Sequence, residues 1–367
     1  MTVDEIKYEL FIKQECGTSP YKYNKVWKNS HFRKTLIDLT YHHIDSCKIY
    51  RDMINASKFV LNANTRLDDL PFFPASLFKY LVLKSIPDDK IERTLFSSGS
   101  SRENVSKIYL DKETSILQMQ ALTSIVSDVL GKNRLPLLII DHPKVLKDYL
   151  SYSGRAAGIR GFSLFGKDIT FALTQEMKPD LNEIAKFLQR VNGQKVFIFG
   201  YTYIIWKHFL EELRQKNIKL DLRNAVLIHG GGWKRLKDKQ VTDEVFKSQV
   251  FDLIGSHKIL NYYGMMEQTG SIFMQCDQGF LHCSKYSDII FRRSGDFSVC
   301  EIGEPGIIQT ISALPYSYPG HSLVTEDEGI LLGEDDCSCG KNGKYFQVTR
   351  RLINAQLKGC GDASTIN

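Results

Sequence analysis

The stretch FSSGSSRENVSKIYL, from Phe96 to Leu110, is the first place along the chain where side chains could bind phosphate. Four serine hydroxyls surround one glycine, and Lys107 follows. The hydroxyls and backbone N–H groups of such a loop can face phosphate oxygens, and a lysine adds a positive charge. A solvated turn is the alternative interpretation, because serine-rich loops usually have no ligand. The candidate phosphate-binding residues are Ser97, Ser98, Gly99, Ser100, Ser101 and Lys107.

Three consecutive glycines, Gly230, Gly231 and Gly232, directly follow an apolar run in VLIHGGGWKR. Ligands of α/β sheets bind beyond the carboxyl ends of the strands, and glycine lets a flat ring or a phosphate approach the backbone. A tight turn that requires positive φ is the alternative. Three glycines followed by Trp233 exceed what one turn requires, so we interpret the segment as a binding loop.

Two further segments carry carboxylates after predicted strands. In NYYGMMEQTGSIF, Tyr263 could stack on a base beside Gly264, and Glu267 could bind Mg²⁺, which takes few carboxylates together with substrate phosphates. In SLVTEDEG, Asp327 could accept hydrogen bonds from ribose hydroxyls. The alternatives are an ordinary surface glutamate in the first segment and a solvated acidic turn in the second.

Cys360 lies between Gly359 and Gly361 in the last stretch of the sequence, RRLINAQLKGCGDASTIN. Glycines on both sides lower the cost of moving a thiol into and out of a site. The thiolate is the nucleophilic form, and basic neighbours such as Lys358 would increase its fraction. An incidental cysteine in a frayed tail is the alternative.

The composition excludes several classes of protein. The 367 residues are 43% hydrophobic and 25% charged, as in ordinary globular proteins. The net charge of +6 is spread along the chain, which suits a small anionic ligand and not a nucleic acid. We expect no signal peptide, no membrane span and a cytoplasmic location. Eight cysteines without a secretion signal indicate reduced thiols or metal ligands.

The elements that must position these residues follow from the apolar pattern. Residues 1–70 have the spacing of amphipathic helices, for example in FRKTLIDLTYHHIDSCKIYRDMI. Short apolar runs such as LPLLIID, QKVFIFG and NAVLIHG then alternate with helical stretches, which predicts a parallel sheet covered on both faces. We therefore predict an α/β core at 71–284 and a smaller β-rich subdomain at 285–349. We predict that residues 350–367 are a separate C-terminal segment.

In this order, the motifs resemble those of the adenylate-forming enzymes, and most closely the acyl-protein synthetase (LuxE) family. The resemblance covers about residues 70–362 and is carried by PFFPASLFK, SSGS, HGGGWK, YYGMMEQ, SYPGHSLVTED and RRLINAQLKGC. It implies an adenylate-forming-enzyme-like large domain, a helical N-terminal region and the smaller β-rich subdomain. Acyl-CoA ligases of the superfamily continue into a lid well beyond the hinge arginine, so we expect the full C-terminal lid to be absent and residues 350–367 to be a hinge remnant and acyl-acceptor tail.

The resemblance implies a role for each motif, with ATP and Mg²⁺ as cofactors. It makes 97–101 and Lys107 the phosphate loop, Gly230–Gly232 the adenine loop, Tyr263 with Gly264 the base-stacking segment, Glu267 the magnesium-linked acid, Asp327 the ribose ligand, Arg351 the hinge arginine and Cys360 the residue that becomes acylated. Lys107, Glu267 and Cys360 are thus the expected catalytic residues.

A second group of cysteines suggests a zinc site. CDQGFLHC and DDCSCGKNGK contain Cys-x-Cys-Gly and a further Cys/His pair. Adenylating relatives of the phenylacetate-ligase type show a similar Cys…His…Cys-x-Cys-Gly arrangement. The expected ligands of a structural zinc are Cys276, His282, Cys337 and Cys339, whereas Cys283 lies beside them in the sequence. Partly buried, reduced cysteines are the alternative.

The leading functional hypothesis is that the protein activates a carboxylic acid with ATP, and we expect this acid to be a fatty acid. Cys360 then takes the acyl group as a thioester and delivers it to an acyl reductase partner. An acyl-CoA ligase with an idle Cys360 is one alternative. A non-catalytic protein of the same fold is another, favoured by Arg102 in the phosphate loop and by Met266 where the family has threonine. Arg350 also replaces the hinge glycine of the family.

Overall fold

The computed structural model describes residues 18–97, 105–146, 154–233 and 241–352 and shows a mixed α/β protein. The α-helices are α1 (Lys25–Trp27), α2 (Arg33–Ser46), α3 (Lys48–Ser57), α4 (Lys112–Leu130), α5 (Gly154–Ser163), α6 (Leu181–Val191), α7 (Thr202–Ile204), α8 (Glu211–Gln215) and α9 (Asp243–Ile254). Short π-helical turns connect α1 to α2 and α7 to α8. None of the helices within these ranges combines the length and the apolar character that a membrane span requires.

The strands lie between these helices up to residue 263 and follow one another in the described residues after it. They are β1 (Phe73–Pro74), β2 (Arg93–Phe96), β3 (Lys107–Leu110), β4 (Leu135–Ile140), β5 (Gly166–Phe171), β6 (Val196–Tyr201), β7 (Ala225–Gly230), β8 (Lys258–Tyr263), β9 (Phe273–Gln275), β10 (Leu281–His282), β11 (Ser287–Arg292), β12 (Pro305–Ser312), β13 (Ser322–Glu334) and β14 (Lys344–Arg351). The chain divides into two units, which are described in turn.

The first unit contains residues 18–96, 105–129 and 264–352. Its sheet has the strand order β11-β12-β13-β14-β10-β9, with antiparallel neighbours throughout, and β1 adds to β13 in parallel. Strands β2 and β3 form a separate antiparallel hairpin. Side chains of α3, of the hairpin and of β13 share one apolar cluster, which includes Tyr50, Ile108 and Leu323. Burial of such side chains is the main stabilising contribution to this unit.

The second unit contains residues 130–146, 154–233 and 241–263, together with residue 97. Its sheet is parallel, in the order β5-β4-β6-β7-β8. Every residue of β6 and β7 is buried, as expected of parallel strands with helices on both faces. Asp180 caps α6 by accepting a hydrogen bond from the Glu183 amide at 3.1 Å, and Gly255 ends α9 with a φ of 75°.

The predicted element types are confirmed where the structure describes them. The runs LPLLIID, QKVFIFG and NAVLIHG form the neighbouring parallel strands β4, β6 and β7. The amphipathic N-terminal pattern forms α2 and α3, and the region after residue 285 is rich in strands. Residues 1–17, where the first helical pattern begins, lie outside the described residues.

A buried ion pair ties the end of β4 to α5. Arg155 donates from Nε to Asp141 Oδ2 at 2.6 Å and from Nη2 to Asp141 Oδ1. Both side chains are almost fully buried, with 7% of Arg155 and 1% of Asp141 exposed. Two charges in such a place are tolerated only because each is satisfied by the other. The pair therefore fixes the start of α5 against the carboxyl end of β4.

We predict that Asp141→Asn strongly destabilises the protein, because the buried Arg155 charge loses its counter-charge. The expected loss is about 3–5 kcal/mol in the free energy of unfolding, measured by urea denaturation. Asp221→Asn is the matched control, since Asp221 pairs with Arg223 at the surface and its removal should change stability little. Superimposable unfolding curves for Asp141→Asn and the native protein would contradict this account.

Candidate functional site

Glu267 lies in a short 3-10 turn, Met266–Gln268, and its backbone is held on both sides. The Tyr318 hydroxyl donates to the Glu267 carbonyl oxygen at 2.9 Å. The amide of the next side chain, Gln268, donates to the carbonyl oxygens of Thr310 at 3.1 Å and of Gly320 at 2.9 Å. These bonds fix the place of the Glu267 carboxylate relative to β12 and to the segment before β13.

Two groups near the Glu267 carboxyl oppose the effect of burial on its pKa. Burial holds its pKa above the usual value for a glutamate, and the negative charge of Glu326 adds to this, whereas a hydrogen bond from the Ser106 hydroxyl and the nearby positive charge of Lys79 offset part of the rise. Lys79 ends the 3-10 helix Ala75–Lys79, and Ser106 directly precedes β3. A partly buried carboxylate with a hydroxyl donor and an ammonium nearby is suited to binding a hard cation or polyphosphate.

Ser106, Lys79 and Tyr318 were missed as site residues by the sequence analysis. Ser106 and Lys79 fall in stretches that had been singled out, FSSGSSRENVSKIYL and PFFPASLFK. No local pattern identifies Ser106 or Lys79 as site residues, because each is more than 150 residues from Glu267 in the sequence. Tyr318 lies in the SYPGHSLVTED stretch, where a buried tyrosine hydroxyl signals a required partner.

The predicted phosphate loop is described only at its edges. In the β2–β3 hairpin Phe96 pairs with Lys107, so Ser97 and Lys107 bracket the loop between these strands. Lys107 is exposed and available to a ligand. Ser98, Gly99, Ser100 and Ser101 lie outside the described residues.

Asp327 and Arg351 lie opposite each other on neighbouring strands. They are register partners in the antiparallel pairing of β13 with β14, which shifts by one residue directly after Glu328. Bulges of this kind are frequent next to active sites, where they redirect side chains. The Arg351 guanidinium donates to Glu326 at 2.6 Å, and Arg350 makes a two-bond pair with Glu328. The presumed ribose ligand and hinge arginine thus share one surface of the first unit.

The glycine loop begins where β7 ends, and glycine is suited to its three positions for different physical reasons. A Cβ on Gly230 would lie 2.3 Å from the ring of Tyr262 on β8, so only glycine allows this contact. Gly231 has a φ of 75°, which other residues adopt with strain. Gly232 has open space around it among the described residues. One glycine is therefore required for packing and one for the turn, and the third leaves the backbone accessible.

Tyr263 is the last residue of β8 and is partly exposed, and Gly264 follows it. Strands β7 and β8 run parallel, so the glycine loop and Tyr263 lie at the same edge of the second unit's sheet. Tyr262, one residue earlier, packs against Gly230 and lies 5.0 Å from the ring of Phe162 on α5. The two tyrosines therefore separate into one that supports the loop and one that a base could reach.

A buried histidine, through a threonine hydroxyl, helps to hold the backbone where the glycine loop begins. His229, the residue before Gly230 on β7, forms a 2.8 Å hydrogen bond between its Nδ1 and the Thr202 hydroxyl. Burial lowers the pKa of His229 to about 3, so its imidazole is neutral near pH 7. The Thr202 hydroxyl also lies 3.2 Å from the Gly230 carbonyl oxygen. This contact links the start of α7 to the position where the loop leaves β7.

The predicted zinc ligands come together in the first unit. One ligand atom from each of Cys276, His282, Cys337 and Cys339 lies within 4.8 Å of the other three. The Cys339 sulfur is 3.4 Å from His282 Nε2. In a tetrahedron with zinc–sulfur bonds of about 2.3 Å, the sulfurs are separated by roughly 3.8 Å, so the set fits zinc with small adjustments.

Two turns of the same design present the cysteines. The Gly279 amide donates to the Cys276 carbonyl oxygen at 2.9 Å, and the Gly340 amide donates to that of Cys337 at 3.0 Å. Both glycines have positive φ. A glycine three residues after a cysteine thus closes each turn and aims the cysteine sulfur inward.

The cluster also has the protonation properties that a metal would use. Burial and then Lys341 lower the pKa of His282 to about 4, so its ring is neutral and can ligate. Burial raises the pKa of the Cys276 and Cys339 thiols, which disfavours their thiolate forms without a cation nearby. Cys283, next to His282 in the sequence, is not among the residues whose ligand atoms converge.

Arg351 is the last predicted nucleotide-site residue within the described residues, whereas Cys360 lies outside them. The six described cysteines, which include the three in the cluster, form no disulfide with one another. The acyl acceptor therefore remains a prediction.

Comparison with known proteins identifies the family. A profile described as "Acyl-protein synthetase, LuxE" matches residues 12–366. The long-chain-fatty-acid–luciferin-component ligase of Vibrio harveyi is 22% identical over 334 residues, which cover 87% of this chain and 82% of the relative. The enzyme of the same name from Aliivibrio fischeri is 22% identical over 339 residues, which cover 89% and 86%.

Solved structures show the same fold. An open conformation of 2-hydroxyisobutyryl-CoA ligase, in complex with 2-HIB-AMP and CoA, superimposes with a TM-score of 0.68 at 12% identity, covering 92% of this chain and 77% of that one. The postadenylation state of that ligase gives a TM-score of 0.66 at 14% identity and covers 92% and 70%. The predicted fold class is thereby confirmed. Since the family profile spans nearly the whole sequence, the chain belongs to the LuxE family of acyl-protein synthetases, which are ligases of the adenylate-forming type.

Proposed function

We propose that this protein activates a fatty acid with ATP and then carries the acyl group on its own Cys360. The acid's carboxylate attacks the α-phosphorus of ATP, pyrophosphate leaves, and an acyl-adenylate forms. The Cys360 thiolate then attacks the acyl carbonyl, AMP leaves, and a thioester remains on the chain. The fatty acid is inferred from the names of the Vibrio and Aliivibrio relatives.

The observation that supports the first step best is the fixed Glu267 carboxylate. Its backbone is held by Tyr318, and its carboxyl is in contact with the Ser106 hydroxyl and near Lys79. Glu267 would hold Mg²⁺, whose charge stabilises the phosphate oxygens during the displacement when it is bound. Lys107, Ser97 and the rest of the 97–101 loop would bind the phosphates.

The remaining roles follow the same resemblance. Gly230–Gly232 and Tyr263 with Gly264 would form the adenine side, where the accessible backbone at Gly232 permits a close approach. Asp327 would accept hydrogen bonds from the ribose, and Arg351 would mark the hinge. Release of the acyl group to a reductase partner would complete the cycle, because a thioester is a substrate suited to reduction.

An acyl-CoA ligase is the second candidate, and the fold similarity to 2-hydroxyisobutyryl-CoA ligase favours it. In that case a free thiol substrate would take the acyl group and Cys360 would have no role. The two candidates share the adenylation step and differ in the acceptor. Variants of Cys360 therefore distinguish them.

We also propose that Cys276, His282, Cys337 and Cys339 hold a structural zinc ion. Three thiolates and one imidazole form a closed tetrahedral set, which is typical of structural sites and leaves no open position for chemistry. The observation that supports zinc is the convergence of these four ligand atoms from two separate turns and one strand. The metal would hold the β9–β10 and β13–β14 connections together.

The first prediction here concerns Glu267→Gln. We expect acid-dependent exchange of pyrophosphate into ATP to fall by about 100-fold or more, because a charge that stabilises the phosphates is removed. The thermal unfolding curve should stay close to that of the native protein. Glu304→Gln, which removes a carboxylate of the β11–β12 hairpin, serves as the control and should retain exchange. Native exchange rates in Glu267→Gln would remove this residue from the mechanism.

The second prediction separates the two half-reactions. Cys360→Ser should retain acid-dependent pyrophosphate exchange but lose self-acylation, because a hydroxyl without a base is a much weaker nucleophile than a thiolate. The label on the native protein should be released by neutral hydroxylamine, as a thioester requires. Cys300→Ser is the matched control and should keep the label.

An acyl label that persists on Cys360→Ser would place the acceptor elsewhere. If that variant lost exchange together with acylation, the tail would belong to the adenylation step. Unchanged formation of acyl-CoA by Cys360→Ser, with no self-acylation of the native protein, would favour the acyl-CoA ligase.

The third prediction concerns the metal. Purified protein should contain about one zinc per chain, and a chelator should lower its melting temperature. Cys337→Ser should lose the metal and show the lower melting temperature without chelator, whereas Cys300→Ser should resemble the native protein. A native protein that carries no zinc, and whose stability is insensitive to chelators, would exclude the site.

A further inference from the structure

Residues 18–32, which we call the N-terminal strap, lie against the turn that carries two of the four cluster ligands. The Asn342 amide donates to the Tyr21 carbonyl oxygen at 3.0 Å, and its side-chain amide donates to the Lys22 carbonyl oxygen at 3.0 Å. The Lys25 amide donates to Asp335 Oδ2 at 2.8 Å. The strap is therefore bound through the 335–343 turn, whose shape depends on where Cys337 and Cys339 are held.

Tyr21 is the strap residue that reaches the cluster itself. Its ring meets the ring of His282 edge to face, with centroids 6.1 Å apart. The side chain is 96% buried, since only 4% of its surface is exposed. The Lys341 ammonium lies 3.6 Å from the ring centroid on the side of the turn. Tyr21 is thus enclosed between a presumed metal ligand and the turn that bears two others.

The hydroxyl of Tyr21 has no hydrogen-bond partner among the described residues, although it is fully buried. Buried hydroxyls nearly always have a partner, so an unpaired one requires an explanation. A phenol carries a proton that it can donate, and the Tyr21 ring lies against His282, whose ligand atom is within 4.8 Å of the Cys276 and Cys339 sulfurs.

A metal ion would supply the missing acceptor. Cysteines ligate as thiolates, so metal binding converts neutral sulfurs near Tyr21 into anionic ones. Outer-shell hydrogen bonds to ligands are a general feature of metal sites. We propose that the Tyr21 hydroxyl donates a hydrogen bond to a metal-bound thiolate, Cys276 or Cys339, and so couples docking of the N-terminal strap to occupancy of the metal site. The inference rests on the proposed zinc site.

A second contact extends this coupling to helix α4. Lys341 forms an ion pair with Asp128 on α4 at 2.5 Å, and the Ser19 hydroxyl donates to the same carboxylate at 3.3 Å. The strap, the 335–343 turn and α4 therefore meet around Tyr21. Because the coupling is reciprocal, the strap should strengthen metal binding as much as the metal strengthens strap docking.

The test measures zinc affinity by competition with a chromophoric chelator in the full-length protein. Tyr21→Phe keeps the ring and removes only the hydroxyl, so we expect affinity to fall by about 10–100-fold. Tyr23→Phe is the matched control in the same strap. Its hydroxyl makes an exposed hydrogen bond with Thr18 Oγ1 at 2.8 Å, so affinity should not change.

Two further readouts exclude a merely structural effect. In the cobalt-substituted protein, loss of a hydrogen bond to sulfur should move the sulfur-to-cobalt charge-transfer band to lower energy in Tyr21→Phe but not in Tyr23→Phe. Hydrogen exchange should show that chelation exposes strap amides such as that of Lys25 in the native protein. The same exposure should be present in Tyr21→Phe at zinc concentrations that saturate the native protein.

The outcomes separate this inference from the zinc proposal. If the native protein binds zinc through the four ligands but Tyr21→Phe has native affinity and a native cobalt spectrum, the hydrogen bond is absent and only this inference fails. If the native protein binds no zinc, both fail. Equal losses in Tyr21→Phe and Tyr23→Phe would also overturn it, since they would point to general loosening of the strap.

Discussion

Strand β13 is the element on which most of the first unit depends. It pairs with β12 on one side, with β14 on the other, and with β1 near its start. The pairing with β14 sets Asp327 opposite Arg351, and the turn between the two strands carries Cys337 and Cys339. A slip of one residue in this register would turn Asp327 to the other face of the sheet. The positions of the predicted ribose ligand and of two cluster cysteines therefore both depend on the pairing of β13 with β14.

The environment of Glu267 illustrates how binding chemistry is prepared before a ligand arrives. Tyr318 and the Gln268 side chain fix the backbone, while Ser106 and Lys79 oppose the effect of burial on the carboxyl pKa. A carboxylate held in place in this way requires little reorganisation when positive charge and phosphate are brought to it. The glycine loop depends on packing instead of on polar contacts, since the Tyr262 ring occupies the space that a side chain at Gly230 would need.

The sequence predicted those features that depend on residues close together in the chain. The apolar runs that became β4, β6 and β7 were identifiable because buried parallel strands are apolar throughout. The four cluster residues were identifiable because Cys-x-Cys-Gly with a further Cys/His pair resembles an arrangement found in adenylating relatives, although the spacing is not that of a standard zinc finger. Ser106, Lys79 and Tyr21 were not, because their relevance depends on side chains distant in the sequence. The different roles of Tyr262 and Tyr263 likewise depend on the direction of each side chain on β8. The order of residues in the sequence does not show which of the two faces Gly230.

The central claim is that acid activation and acyl transfer occur on the same chain and end at Cys360. Peptide mapping by mass spectrometry, after incubation of the native protein with ATP, Mg²⁺ and a long-chain fatty acid, tests it most directly. The account predicts one acyl group per chain, located on the peptide that contains Cys360 and dependent on ATP. An acyl group found on another residue, or formation of AMP and pyrophosphate with no acylated peptide, would contradict it.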